Sequence, residues 1–202
     1  MEHSSKNVSQ TVDYIAEELR RHIVFENETH PDAIALWIVG TYLMDNWTLY
    51  PKLYINSPER ECGKTSLLCL VEAFSYNARM AASITPAAFY RIIESDKPTL
   101  LIDEADITIR GNDPLNGIIN AGHTRRTAVV LRTEPTDDGK HKTIEISVWA
   151  PQAFAGIGTQ KDTFLSRSIK IKMRRKMVAE TVATAPIDYF EKNEELRKCL
   201  KA

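Results

Sequence analysis

The chain has 202 residues, enough for one domain with a real core, or one domain with an appendage. Hydrophobic residues at 43%, charged residues at 26% and a net charge of −1 exclude a disordered, collagen-like or uniformly polybasic chain. Eight glycines argue against many glycine-lined turns, and three cysteines, Cys62, Cys69 and Cys199, are too few for a disulfide framework or a four-ligand zinc site.

The cysteine usage predicts a reduced, cytoplasmic setting. Residues 1–10 are polar and unlike a secretory signal. The longest apolar stretch, 33–44, falls short of the ~20 residues that cross a bilayer, so no membrane segment is expected.

In chain order, residues 8–24 carry Val12, Ile15, Ala16, Leu19 and Ile23 at helical spacing opposite Asp13, Glu17, Glu18, Arg20 and Arg21, which predicts an amphipathic helix. Pro31 suits a first helical position, and Ala33, Ile34, Trp37, Ile38, Tyr42 and Leu43 continue a second helix to about residue 45. This helical pair is expected to form an N-terminal appendage over residues 1–50. Leu53, Tyr54 and Ile55 predict a short strand that ends at Asn56, Ser57 and Pro58, and a helix over 64–76 follows. Next come a short strand over 81–84, a helix over 87–94 opened by Thr85 and Pro86, and a continuous apolar strand over 99–102. Asp113 and Pro114 open another helix to about residue 122.

The period then becomes alternating. Residues 128–133 and 143–149 predict strands, joined by a tip over 134–142 that contains Pro135, Asp138 and Gly139. Strands over 153–157 and 168–173 follow, and 177–202 reads as a linker and a charged helix. Strands separated by helices predict an α/β fold with a mainly parallel sheet over 51–176, into which a β-hairpin over about 127–149 is inserted.

The most informative stretch is Ser57, Pro58, Glu59, Arg60, Glu61, Cys62, Gly63, Lys64, Thr65 and Ser66, set between a strand and a helix. It ends in Gly-Lys-Thr, as a phosphate-binding loop of pattern GxxxxGK[ST] does. Backbone amides and the helix N-terminus would surround the phosphates of ATP, Lys64 would reach the β and γ phosphates, and Thr65 would offer its hydroxyl to Mg²⁺. Pro58 stands where the first glycine of the pattern is usual. Glu59 and Glu61 add negative charge, partly offset by Arg60. Alone, the tripeptide is equally compatible with a helix start that happens to carry glycine.

The strand Leu100, Leu101, Ile102 ending in Asp103 and Glu104 supplies the second half of the pattern. Asp103 at the strand tip would hold Mg²⁺ through water, while Glu104 would orient and deprotonate the attacking water. Two acids merely solvated at a strand end are the plain alternative. A small-metabolite kinase needs no water-activating base, so the pair favours hydrolysis.

Several runs together resemble a known family: Ala35, Leu36 and Trp37 leading to the first strand, Cys62 to Thr65, Leu101 to Asp106, Ile119 to His123, Ala150-Pro151, and Ser166 to Ile169. They are similar to the P-loop ATPase domain of unknown function found in phage and mobile-element proteins, often joined to primase or helicase modules, over about residues 30–176. The order of elements is also similar to the core of AAA+ proteins and superfamily-three helicases. The resemblance implies a three-layer P-loop NTPase fold, ATP and Mg²⁺ as ligands, a homo-oligomer, and a replication or primase partner.

It also implies roles for further residues. Thr159 or Gln160 would be the polar sensor of the γ phosphate. Arg167, within Ser166-Arg167-Ser168, would act in a neighbouring subunit's site; an arginine capping a strand is the alternative. Lys140, His141 and Lys142 at the hairpin tip would grip single-stranded nucleic acid, or form a solvated turn with Glu134, Asp137 and Asp138. Arg167, Lys170, Lys172, Arg174, Arg175 and Lys176 would make a DNA-facing stripe, or an edge strand guarded by lysines. Trp37 and Trp47 read as packing residues, and His123 with Arg125 and Arg126 as a surface helix end, the alternative being an approach to a phosphate or a neighbouring subunit. The expected function is Mg²⁺-dependent ATP hydrolysis by a helicase-like oligomer acting on or with nucleic acid. The acidic loop and the short stretch after Met173 keep a second expectation, a nucleotide-binding adaptor with slow or no hydrolysis.

Overall fold

The computed structural model describes residues 7–135, 140–186 and 189–201. Helix α1 (Val8–His22) starts on a capping box in which Asn7 and Gln10 satisfy each other's backbone amides. Helix α2 (His30–Gly40) has Pro31 in its first turn. It tightens into a 3-10 turn, Thr41–Asn46, because Leu43 leaves helical geometry; the single helix expected to residue 45 is therefore broken. Strand β1 (Lys52–Ser57), helix α3 (Lys64–Phe74), strand β2 (Ala78–Ala81), helix α4 (Pro86–Asp96) and strand β3 (Thr99–Ile102) follow. Helices α5 (Ala105–Ile109) and α6 (Asp113–Ala121) precede strands β4 (Val129–Pro135), β5 (His141–Ser147) and β6 (Gln152–Ile157). Helix α7 (Asp162–Leu165), strand β7 (Ser168–Lys172) and helices α8 (Tyr189–Lys192) and α9 (Glu194–Lys201) complete the described chain.

The main sheet has the order β2-β3-β6-β1-β7, and every pairing in it is parallel. Strand alternation sends Leu53, Ile55, Leu101, Ala153, Ala155 and Ile171 into one core, shared with α1, α2 and α3. Tyr54, Leu100, Ile102 and Phe154 face a second core with α4, α5 and α6. Helices thus cover both faces of the sheet. Residues Ile15, Leu19, Ile34 and Ile38 are fully buried in the first core, so the N-terminal helices are built into a layer rather than hung beside it. The chain after β7 turns back onto that layer, where the Ala183 amide donates to the Arg21 carbonyl at 3.0 Å. Tyr189 of α8 meets Phe74 of α3 edge-on at 5.7 Å.

Strand β2 lies three residues earlier than the expected 81–84. Its register, from Ala78 opposite Thr99 to Ala81 opposite Ile102, is set by β3. Thr85 caps α4 from an extended conformation, and this leaves 82–84 as the connection. The hairpin β4-β5 is antiparallel, as expected, and forms a separate two-stranded sheet. Its inward Ile146 is buried against the second core, and Arg132 lies 4.9 Å from the ring centre of Tyr90. Asp137, Asp138 and Gly139 of the expected tip lie outside the described residues. Among the described residues no helix is long and apolar enough to cross a membrane.

Candidate functional site

Strand order decides where chemistry can be assembled. The chain leaves β1 through α3 towards β2 at one edge, while β6, beside β1, connects across it to β7 at the other. Ligands of open parallel sheets bind outside the carboxyl ends of strands at such a reversal. Three segments converge on that end: the 57–63 loop after β1, the acids after β3, and the turn after β6.

The loop closes on itself through polar contacts. Lys64 Nζ donates to Ser57 Oγ at 2.7 Å and to the Glu59 carbonyl at 3.2 Å. Cys62 is buried and its thiol meets the Arg60 carbonyl at 3.5 Å. Gly63 has φ +80°, a left-handed conformation that a side chain resists, immediately before α3. Pro58, Glu59, Arg60 and Glu61 are exposed, as are Thr65 and Ser66 on the first turn of α3. Arg175 reaches back over the loop, 3.2 Å from Glu59 and 3.6 Å from Glu61, and donates to the Arg60 carbonyl at 3.3 Å. The negative charge of the loop is thereby balanced from the segment after β7.

Thr65 Oγ1 donates to Asp103 Oδ2 at 2.8 Å, and the other oxygen of Asp103 accepts the Glu104 amide at 2.9 Å. Both oxygens of Asp103 are thus aimed by neighbours. Glu104 takes a left-handed conformation, φ 49°, at the start of α5, and its side chain is exposed. Asp106 ties this segment to β6: its Oδ1 accepts the Ile157 amide at 2.9 Å. The pattern of acids did not single out Asp106, because α5 is one turn long and leaves no readable period.

Thr159 and Gln160 follow β6 at the same end of the sheet. Thr159 is exposed and donates to the Gln160 carbonyl at 3.3 Å, while the Tyr54 hydroxyl donates to the Gly158 carbonyl at 3.1 Å in the same turn. Arg167 lies elsewhere. Its carbonyl accepts the Lys52 amide at 2.9 Å and its guanidinium donates to the Thr163 carbonyl at 2.6 Å, which puts it at the amino end of β7, opposite the loop. Lys140, His141 and Lys142 stand at the far end of the hairpin, with Lys142 opposite Glu134 and His141 opposite Pro135. Lys170 and Lys172 are exposed on the edge strand β7, and Lys172 pairs with Glu26 at 3.1 Å. Arg174 forms a two-pronged pair with Glu180. Three of the six cations in the basic run after Ser166, Lys172, Arg174 and Arg175, are thus paired with carboxylates of this chain.

Among the described residues no three His, Cys, Asp or Glu side chains converge as a metal cage. Magnesium bound with a nucleotide uses one or two protein oxygens and leaves its remaining positions to phosphates and water. No family model and no curated protein matches the chain.

Proposed function

We propose that the chain is a Mg²⁺-dependent ATPase of the P-loop class, helicase-like and oligomeric, that acts on or with nucleic acid. The Thr65–Asp103 contact carries this reading, because it brings a hydroxyl and a carboxylate together beside a lysine-bearing loop. Thr65 would offer its hydroxyl to the metal, and Asp103, held 2.8 Å from that hydroxyl by their hydrogen bond, would hold it through water. Bound there with ATP, Mg²⁺ would neutralise charge on the β and γ phosphates.

The residues supply the rest. Lys64 exchanges its contacts to Ser57 and Glu59 for phosphate oxygens, and the amides that open α3 surround them. Glu104, next to the aimed carboxylate of Asp103, accepts the proton of the attacking water. Thr159, at the end of β6, is placed at the same end of the sheet as a sensor would be. Arg167 stands at the opposite end, which supports action on a neighbour's terminal phosphate rather than on its own. Lys140, His141 and Lys142 are the proposed contacts to single-stranded nucleic acid. Association with a mobile-element replication or primase partner rests on the family resemblance.

A second reading, a nucleotide-holding adaptor with slow or no turnover, is favoured by one observation. The Lys64 ammonium is already held by two oxygens of its own loop, and phosphate must displace them.

Phosphate release and binding of a fluorescent ATP analogue by wild type, Lys64→Ala and Glu104→Gln test both readings. The ATPase predicts lost binding in Lys64→Ala, and retained binding with turnover reduced about 10²–10⁴-fold in Glu104→Gln. Equal turnover in all three overturns it. Binding without turnover in wild type selects the adaptor.

A further inference from the structure

Nine buried side-chain polar atoms lack a hydrogen-bond partner among the described residues. Five of them, Lys52 Nζ, Gln152 Nε2 and Oε1, Asn120 Oδ1 and His123 Nδ1, belong to one corner of the molecule. The corner lies at the amino end of the sheet, away from the loop. Lys52 opens β1 and Gln152 opens β6; the register that sets Leu53 opposite Ala153 makes them neighbours. Both are only 2% exposed. The turn after α6 closes the corner, held by the Tyr50 amide donating to the His123 carbonyl at 3.1 Å. Gly122 is required there, since a Cβ would stand 2.5 Å from Gln152 Nε2 and 2.8 Å from the Val148 carbonyl. Arg167 joins from the turn before β7, its carbonyl bound by the Lys52 amide.

The charges in this corner have one sign. Among the described residues, the ionised groups acting on His123 are Lys52 and Arg167, and the one acting on Lys52 is Arg167. Burial and that repulsion hold Lys52 down to about 7 and push His123 below its ordinary value. Lys52 is buried, while His123 and Arg167 are partly buried. A buried ammonium with no acceptor, an amide group with free donors and a guanidinium make an incomplete shell, and an oxyanion is the chemical complement of such a set.

We propose that Lys52, His123 and Arg167 form a second anion site, which receives a phosphate group at the amino end of the sheet. Arg167 and His123 touch the oxygens, and the buried Lys52 acts as a positioning charge. Two sources carry this chemistry: free phosphate, and the terminal phosphate of a nucleotide held by a second copy. The second source rests on the proposed ATPase; the site itself does not.

Sulfate is the first probe, because it is tetrahedral and its charge is constant near neutral pH. In a Lys64→Ala background, with the 57–63 loop disabled, the His123 ring signal is followed by NMR during sulfate titration and assigned with His123→Gln. The expected result is saturable movement of the signal, with binding about tenfold tighter at pH 6 than at pH 8, as a group titrating near 7 gains its proton. Lys52→Met, which removes a buried unpaired charge and keeps the volume, should fold and should reduce both the affinity and that pH preference, leaving the part that His123 supplies. Lys52→Gln repeats the test with a polar chain. No movement of the His123 signal, or the same affinity and pH profile in both Lys52 variants as in the parent, overturns the proposal.

A second arm separates the sources. An unlabelled, ATP-loaded Glu104→Gln copy is added to the labelled Lys64→Ala copy. Movement of the His123 signal assigns the site to a neighbour's nucleotide. Movement with sulfate alone assigns it to free phosphate, and this outcome stands even if the chain hydrolyses nothing.

Discussion

The Thr65 hydroxyl donates to the Asp103 carboxylate across 2.8 Å although the two residues are 38 positions apart. They are carried by structure following different strands, β1 and β3, with β6 lying between those strands. The contact therefore depends on the strand order as much as on the two side chains. It also makes a direct prediction. Thr65→Val keeps the shape and removes the hydroxyl; Asp103→Asn keeps the hydrogen bond and removes the charge. Both should raise the Mg²⁺ concentration required for half-maximal ATP turnover by at least about tenfold. The measurement is a Mg²⁺ titration of phosphate release at saturating ATP, and unchanged half-points in both variants would remove these residues from the metal site.

Arg175 lies 3.2 Å from Glu59 and 3.6 Å from Glu61, all three exposed enough for salt to weaken the pairs. If the loop takes ATP as proposed, Arg175→Ala leaves two carboxylates facing the triphosphate. The KM for ATP should rise about 3–10-fold at low salt, and less at high salt, with kcat little changed. Adding Glu59→Gln and Glu61→Gln to the variant should restore the original KM. An Arg175→Ala variant whose KM matches wild type at both salt levels would show that the balance of charge over the loop has no bearing on ATP.

The placement of Gly63, Lys64 and Thr65 at a helix start and of Asp103 at a strand end was legible in the chain, because each sits where one element gives way to the next. Such boundaries are marked by apolar runs ending in polar residues. Arg175 was not legible as a partner of Glu59 and Glu61, since ion pairs between distant segments leave no spacing to read. Asp106 was hidden by a helix of one turn, and Lys52 by chemistry: a lysine before an apolar strand reads as solvated, yet it is 2% exposed. The shift of β2 to Ala78–Ala81 has the same cause, because its register is set by β3 across the sheet rather than by its own residues.

Arg167 is anchored at the amino end of β7 by its own turn, with the guanidinium donating to the Thr163 carbonyl. If it serves a neighbour, Arg167→Ala and Lys64→Ala subunits are each inactive alone but complementary when mixed. A Lys64→Ala subunit still presents Arg167, and an Arg167→Ala subunit still binds ATP. Mixing at equal amounts should restore a measurable fraction of wild-type turnover, rising with total protein concentration. The absence of recovery at every ratio, with association confirmed by light scattering, would assign Arg167 to the strand-capping role.

Lys52 makes the sharpest prediction on stability. An unfolded lysine titrates near 10.4, whereas burial, with the charge of Arg167 added, holds Lys52 at about 7 in the fold. Between these values the unfolded chain carries a proton that the native chain lacks, so native stability rises with pH across this window. Below about pH 7 the penalty is complete and constant, because both states are then charged. Each pH unit within the window is worth at most about 1.36 kcal/mol. Lys52→Met should therefore stabilise the protein by roughly 2–4 kcal/mol at about pH 6, with the gain shrinking towards zero near pH 10. Urea unfolding midpoints of wild type and variant at the two pH values measure it. The same gain at both would mean that Lys52 keeps an ordinary lysine pKa in the fold, and a loss at both would mean that its stem, rather than its charge, matters to the core.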